Sequence, residues 1–286
     1  MEKDVDSVEV EKTKELLESL CKNEIFIDTK EDSDVKPNSS KIGGKPWLPK
    51  DFIWPTFTSY DDNVTRPLSF FCQINLEEIK EFDIDNVLPK KGMLYFFYEC
   101  ESFTWGFDSR DKGAARVFYY ENTEGFISFH IPNVIDKMYV IPELGIDVCS
   151  RKSYPSIDEI DEHTDTFCDY DIYEEAMCDI DYDEEEEHKL LGYANTIQNE
   201  MLTECERASR GLSSSNPDAY AATGDSVRKE IEECKREWTL LLQLGTITKG
   251  DFEFMFGDCG RIYFYIRKSD LENKNFDNVQ FCVQCS

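Results

Sequence analysis

Residues 257–261, Gly-Asp-Cys-Gly-Arg, combine residue types that bind anions. The planar guanidinium of Arg261 can donate paired hydrogen bonds to a carboxylate or phosphate, and the glycines would let such a ligand approach the backbone. Asp258 could instead hold Arg261 or cap the turn. Apolar residues alternate on both sides, which equally predicts a tight hairpin with glycine at positive φ. A ligand-binding loop and a structural turn are therefore both open.

Two glutamines stand inside apolar segments that read as buried strands. Gln73 follows Phe-Phe-Cys, and Gln243 follows Leu-Leu-Leu. A buried amide without partners costs about 1 to 3 kcal/mol, so both side chains must be hydrogen-bonded. They could fasten loop backbone to the sheet, or they could line a cleft together with Trp54, Asp258 and Arg261.

A metal site is suggested by Asp179, Asp181 and Asp183, which match the first three ligand positions of an EF-hand loop. The match then fails, because Glu184 occupies the position that needs glycine and Leu190 the position that needs a bidentate acid. We interpret this segment as a solvated acidic surface or a disordered insertion and predict no metal.

Other catalytic patterns are incomplete. Cys282 and Cys285 have the spacing of half a zinc site, but no second pair follows. The three histidines, His130, His163 and His188, form no metal-binding cluster, and the chain has no nucleophile motif or nucleotide fingerprint. We predict no catalytic residues and no cofactor, and we favour a non-enzymatic role.

The chain is strongly acidic, with 60 Asp and Glu against 31 Lys and Arg and a net charge of −29. Residues 158–187 contain sixteen acidic residues and no Lys or Arg. Such a surface repels nucleic acid and anionic membranes, and it attracts basic partners. We predict a basic protein as partner, with no nucleic acid and no membrane.

Size and composition indicate a folded protein, since 286 residues that are 40% hydrophobic can bury a substantial core. The sequence shows no apolar run long enough for a signal peptide or a membrane span. Its eleven cysteines are scattered and odd in number, which favours reduced thiols over a disulfide framework. We expect a cytoplasmic protein.

A sequence pattern that occurs twice predicts the architecture. Residues 70–74, Phe-Phe-Cys-Gln-Ile, precede Gly-Met-Leu-Tyr-Phe at 92–96, and residues 240–244, Leu-Leu-Leu-Gln-Leu, precede Gly-Arg-Ile-Tyr-Phe at 260–264. The two copies are separated by nearly constant offsets of 170 and 168 residues. We predict an α+β fold, a mostly antiparallel sheet built from two pseudo-repeated halves with flanking helices.

We divide the chain at its changes of composition. Residues 1–40 are predicted to hold an N-terminal helix and a linker, and residues 41–286 a single domain. Within that domain we expect a first half at 41–150, an acidic connector at 151–189 and a second half at 190–286.

Several motifs in order along the chain resemble the YwqG-like family, a domain of unknown function. They are Gly43, Gly44, Pro46, Leu48 and Pro49; Trp54 and Pro55; Pro67 and Leu68 leading to Gln73, Ile74, Asn75 and Leu76; Leu190, Leu191 and Gly192 to Gln198; and Gly257 to Arg261 through Asp270, Leu271 and Phe276. The resemblance spans roughly residues 41–286. It implies an α+β fold with an internal duplication in a soluble cytosolic protein, and it supplies no catalytic residues. Some members occur in bacterial toxin and immunity neighbourhoods, which implies a toxin-neutralising role by analogy.

We therefore predict a cytosolic protein-binding module of immunity-like type that neutralises a basic partner or toxin. The alternative is a small-ligand-binding or enzymatic domain with a cleft between the two halves. That cleft would use Arg261, Asp258, Gln73, Gln243 and Trp54. A scaffold role without a compact site is a third possibility.

Overall fold

The computed structural model describes residues 7–31, 34–163, 168–178, 180, 188–214 and 223–286. Seven α-helices lie in this part of the chain: α1 (Ser7–Leu20), α2 (Leu76–Ile79), α3 (Ile157–His163), α4 (Tyr170–Cys178), α5 (Leu202–Ser209), α6 (Asp225–Cys234) and α7 (Lys268–Glu272). The first eight strands are β1 (Lys22–Lys30), β2 (Lys41–Ile42), β3 (Trp47–Leu48), β4 (Thr56–Thr58), β5 (Thr65–Pro67), β6 (Ser69–Asn75), β7 (Met93–Tyr98) and β8 (Ala115–Tyr120). The others are β9 (Ile127–Ser128), β10 (Leu144–Ser153), β11 (Lys189–Leu191), β12 (Trp238–Leu244), β13 (Ile247–Lys249), β14 (Phe252–Phe254), β15 (Arg261–Arg267) and β16 (Gln280–Gln284).

Ten strands form one antiparallel sheet in the order β16-β15-β12-β11-β1-β10-β2-β6-β7-β8. The six remaining strands pair two by two as β3 with β9, β4 with β5, and β13 with β14. The predicted α+β fold with a mostly antiparallel sheet is thereby confirmed.

The sheet curls on itself. Strands β7 and β15 are seven positions apart, which in a flat sheet would separate them by about 34 Å. The rings of Phe96 on β7 and Phe264 on β15 nevertheless lie 5.2 Å apart, centroid to centroid. The inner face of the sheet therefore encloses one apolar core to which both ends of the sheet contribute.

Strand β1 lies in the middle of this sheet and corrects the prediction of only a helix and a linker in residues 1–40. It pairs with β10 along all nine of its residues and with β11 on its other side. The charged residues of β1 are not typical of a central strand, so the sequence does not reveal it. Glu24 can occupy this position because it is fully buried in an ion pair with Lys189. A buried charge is retained in such a position only when it is paired.

Both faces of β7 and β15, the second strand from each end of the sheet, are covered, which explains their apolar runs. Along β7, Phe96 faces the core while Phe97 packs outward against Phe52 and Trp54. These two aromatic residues belong to the segment between β3 and β4, which contains Pro49 and Pro55. The outer face of the second half is covered by α5, whose Leu202 and neighbours pack on β12 and β15.

Three helices form a separate apolar layer beside the central strands. Helices α1, α3 and α4 share the buried side chains of Val10, Leu17, Ile160 and Tyr173. A capping box starts α3, because the N–H groups of Ser156 and Glu159 each donate to the other's side chain.

The two halves have matching registers. Lys41 on β2 lies opposite Gln73 on β6, just as Lys189 on β11 lies opposite Gln243 on β12. Both β6 and β12 shift register at the same point, between the residues that stand three and one positions before the glutamine. The duplication itself stays a prediction.

The ends of the sheet leave a gap between β8 and β16, which we call the seam. The backbone N–H of Val283 on β16 donates to the carbonyl of Trp105, in the loop between β7 and β8. At the next residue, Gly106, a Cβ would lie 2.0 Å from the carbonyl oxygen of Phe281. The loop therefore closes the seam through a backbone approach that only glycine permits.

Candidate functional site

Gln73 acts as a backbone clamp. Its fully buried side chain accepts from the N–H of Trp47 at 2.8 Å and donates to the carbonyls of Pro37 and Ser39 at 2.9 and 2.7 Å. Three backbone groups from the segments around β2 are thereby satisfied by one amide. This geometry favours the structural interpretation of Gln73.

Gln243 makes the corresponding contacts in the second half. It accepts from the N–H of Asn195 at 2.9 Å and donates to the Asn195 side chain at 3.2 Å. The hydroxyl of Tyr263 donates to the Asn195 carbonyl at 2.6 Å, and Tyr95 donates in the same way to the Trp47 carbonyl. Each half thus holds one residue outside the large sheet, Trp47 or Asn195, with a glutamine and a tyrosine.

Arg261 lies beside this second clamp. Its Nη1 donates to the Asn195 carbonyl at 3.0 Å, and both residues line a pocket of about 260 Å³ next to α3 and α4. Tyr154, Ser156 and Tyr173 form the opposite wall. The structure therefore brings Arg261 close to Gln243 through Asn195.

The other predicted ligand contacts lie elsewhere. Asp258 is exposed, and its carbonyl accepts from the N–H of Ser286 at 3.1 Å. Trp54 donates from its indole to the carbonyl of Leu68 at 2.8 Å, within the aromatic layer over β7. The five predicted residues do not line one common cavity among those in the described part of the chain.

The Gly257–Arg261 segment is a turn, but not the predicted hairpin. Strand β14 pairs with β13, and β15 pairs with β12 and β16, so the strands on either side of the turn are not partners. Alternation indicates a strand without identifying its neighbour. Gly257 does have the predicted positive φ of 74°. At Gly260, a Cβ would lie 1.9 Å from the Phe256 carbonyl.

His188 is held neutral at the start of β11. Burial lowers its pKa to about 4, and the nearby Arg261 guanidinium adds to the effect. Its Nδ1 accepts from the backbone N–H of Gly245 at 3.2 Å. Its environment is that of a core histidine rather than of a general base poised near neutral pH.

Metal and thiol chemistry find little support in the described residues. Asp179, Asp181 and Asp183 lie outside them, and within them no group of three or more acidic, His or Cys side chains could hold a metal ion. Cys282 is buried with its sulfur 3.9 Å from that of Cys205, whereas Cys285 is half-buried near the end of the chain.

Helices α1 and α4 carry a group of exposed carboxylates that we call the acidic face. Its members are Glu9, Glu11, Glu15, Asp169, Asp171, Glu174 and Glu175. Lys12 and Lys14 of α1 are each paired with a glutamate three residues before them. A groove of about 620 Å³ is lined by one side of α1 and by Glu175.

The seam contains a buried carboxylate. Asp111 is 3% exposed, and its Oδ2 accepts from the N–H of Gly106 at 2.9 Å. Its Oδ1 has no hydrogen-bond partner within the described ranges. Burial raises the pKa of Asp111 to about 6, and the neighbouring Asp108 carboxylate acts in the same direction.

We expect Asp111→Asn to stabilise the protein in a pH-dependent way. Because the pKa of Asp111 rises from 3.8 unfolded to about 6 folded, stability is lost as pH rises through this range. The amide removes that loss, so the gain in unfolding free energy should reach up to about 3 kcal/mol above pH 7. Urea unfolding of both proteins at about pH 5 and pH 7.5 measures it. A gain of equal size at both pH values would contradict the assignment.

A wider groove adjoins this carboxylate at the seam and is built on Glu206. This fully buried carboxylate accepts from Arg210 Nε and Arg267 Nη2, both at 2.6 Å, and from the Trp238 indole at 2.9 Å. The Arg267 guanidinium also lies over the Trp238 ring, 4.6 Å from its centroid. The groove has a volume of about 350 Å³, and Lys112 contributes from the first half.

The sequence pattern does not predict this groove. The only local signal is the spacing of Glu206 and Arg210, which are neighbours on one helix face. Arg267 comes 57 residues after Arg210, and Lys112 comes 98 residues before it, so their convergence depends on closure of the sheet.

The fold and its pockets define a class: an α+β domain with one large, curled antiparallel sheet and polar sites at its helical layer and at its seam. The chain belongs to the DUF1963 family, a domain of unknown function, whose sequence model matches residues 40–285. No curated protein matches the chain.

Within the described residues, no helix has the length and apolar character needed to cross a membrane.

Proposed function

We propose that this chain is a protein-binding module whose acidic face docks a basic protein. The observation that carries the proposal is the packing of α1 against α4. Val10 and Leu17 of α1 and Tyr173 and Ala176 of α4 are buried in one apolar layer. The carboxylates above this layer are thus held on two packed helices and keep a fixed pattern.

The acidic face also offers apolar contact area. Val8 and Tyr170 are 60% and 61% exposed on the same two helices. Exposed aromatic and aliphatic side chains within a charged surface are suited to act as interface anchors, while the charges accelerate the encounter. A partner that carries Lys and Arg around an apolar patch would complement both features.

The location of the acidic face bears on specificity. Helix α1 precedes residues 40–285, the range that the family model matches. Helix α4 lies within that range, so we infer that only the α1 part of the acidic face, and the partner contacts that it makes, are particular to this chain. A YwqG-like, immunity-like role in the cytosol fits this division, because toxin-neutralising proteins must each recognise a different partner.

We also infer that the two halves derive from one duplicated unit. Trp47 and Asn195, the residues held by the clamps, are 148 residues apart, as are Lys41 and Lys189. The held residue and the lysine that faces the glutamine thus recur at the same interval of 148 residues, which supports a common origin.

A triple charge reversal tests the acidic face. We expect Glu15→Lys, Glu174→Lys and Glu175→Lys together to lower the affinity for a basic partner, one that binds saturably, about tenfold or more. Affinity of the unchanged protein should fall steadily as salt rises. Partners captured from a lysate at low ionic strength would be purified and titrated by calorimetry.

The matched control changes net charge equally elsewhere, with Asp251→Lys, Glu253→Lys and Glu272→Lys, all exposed outside the acidic face. This control should retain the partner. An equal loss of affinity in both triple variants would show that net charge alone causes the effect, and it would overturn the proposal. The absence of any partner that binds saturably would overturn it as well.

A further inference from the structure

The small cavity at Asp111 and the groove at Glu206 are adjacent polar spaces at the seam, which we treat as the two ends of one candidate site. Lys112 and Gln280 line both spaces. The cavity, of about 40 Å³, is large enough for a group the size of a water molecule or an ammonium. The groove, of about 350 Å³, is within the usual range for small-molecule sites.

The groove end of this site supplies cationic donors. Arg267 uses Nη2 on Glu206 and Ser209, while its Nε and Nη1 have no hydrogen-bond partner among residues 7–31, 34–163, 168–178, 180, 188–214 and 223–286. Arg210 uses Nε and Nη1 on Glu206 and Glu230. Glu206 fixes both guanidinium planes from beneath, which suits them to receive a carboxylate.

The cavity end supplies an anionic acceptor. Asp111 Oδ1 is buried without a donor in the described part of the chain, although its other oxygen is satisfied by Gly106. A buried acceptor of this kind is unfavourable until a donor reaches it. A ligand ammonium would supply both the hydrogen bond and the compensating charge.

We propose that the seam binds an amino carboxylate, a small zwitterion whose ammonium contacts Asp111 and whose carboxylate contacts Arg267 and Arg210. The net charge of −29 favours this class over simple anions, because a zwitterion meets no long-range repulsion. This site is separate from the acidic face, so either proposal can fail without the other.

Calorimetric titration of the full chain tests the proposal. The probes are glycine, 4-aminobutanoate, 5-aminopentanoate and L-glutamine, with butanoate and butylamine as ligands that carry only one of the two charges. We expect at least one amino carboxylate to bind at least tenfold more tightly than both single-charge compounds. No saturable binding of any amino carboxylate tighter than about 10 mM would overturn the proposal.

Two variants assign the ends of the ligand. Asp111→Asn should lower the affinity for the amino carboxylate tenfold or more, so that it no longer binds more tightly than butanoate. Arg267→Lys should lower the affinities for the amino carboxylate and for butanoate by similar factors. Asp251→Asn is the control, because Asp251 is an exposed aspartate that lines neither the cavity nor the groove, and the affinity of this variant should stay within twofold of the original. Since Asp111→Asn is expected to be more stable, unfolding cannot imitate its effect. Unchanged affinity in Asp111→Asn would refute the assignment.

Discussion

Lys189→Met is expected to lower the free energy of unfolding by about 3 to 5 kcal/mol. The ammonium of Lys189 lies 2.9 Å from the Glu24 carboxylate, and both side chains are completely buried. Methionine fills a similar volume but leaves the Glu24 charge without this cation. Urea unfolding, followed by circular dichroism, measures the loss.

The corresponding lysine of the first half provides the control. Lys41 is also buried, but its partner Glu143 is 42% exposed and water can solvate it once the cation is removed. Lys41→Met should therefore cost about 1 kcal/mol. Adding Glu24→Leu to Lys189→Met should restore most of the lost stability, because the charge is then removed with its partner. Equal costs for the two lysines would show that burial of the carboxylate is not the cause.

The second large effect is expected at the seam. Gly106→Ala should lower the free energy of unfolding by about 3 to 5 kcal/mol, since a Cβ would lie 2.0 Å from the Phe281 carbonyl oxygen. Gly106 also has a φ of 84°, which adds strain for any L-residue. Thermal unfolding should show the loss, and amide exchange should show faster opening of β16.

Gly125→Ala separates these two causes. Gly125 has a similar φ of 77°, but no atom lies within 4 Å of the position that a Cβ would occupy. Gly125→Ala should therefore lower the free energy of unfolding only by the backbone strain of the positive φ, about 1 to 2 kcal/mol. Comparable losses at both glycines would mean that the backbone approach at the seam contributes little.

Local patterns in the sequence predicted the elements that depend on local physics. The sequence predicted the N-terminal helix that α1 forms and the positive φ of Gly257, and the burial of Gln73 and Gln243 implied the hydrogen bonds that they make. In each case one side chain or a few neighbouring residues determine the outcome.

Features that depend on distant pairing were not predictable. Strand β1 looked like a linker because the partner of Glu24 comes 165 residues later. The groove at Glu206 needs Arg210, Arg267 and Lys112, which meet only when the sheet curls. A charge pattern does not indicate which opposite charge it will meet across a fold.

The central position of β1 has a consequence for how the chain reaches its native state. The strand is synthesised before both of its partners, β10 and β11, which end at residues 153 and 191. It must therefore wait, without both neighbours, until residue 191 has been made, which is the kind of delay that slows folding and invites misassociation. The two halves accordingly cannot be independent folding units, and a fragment cut to residues 40–285 would lack the strand that joins them.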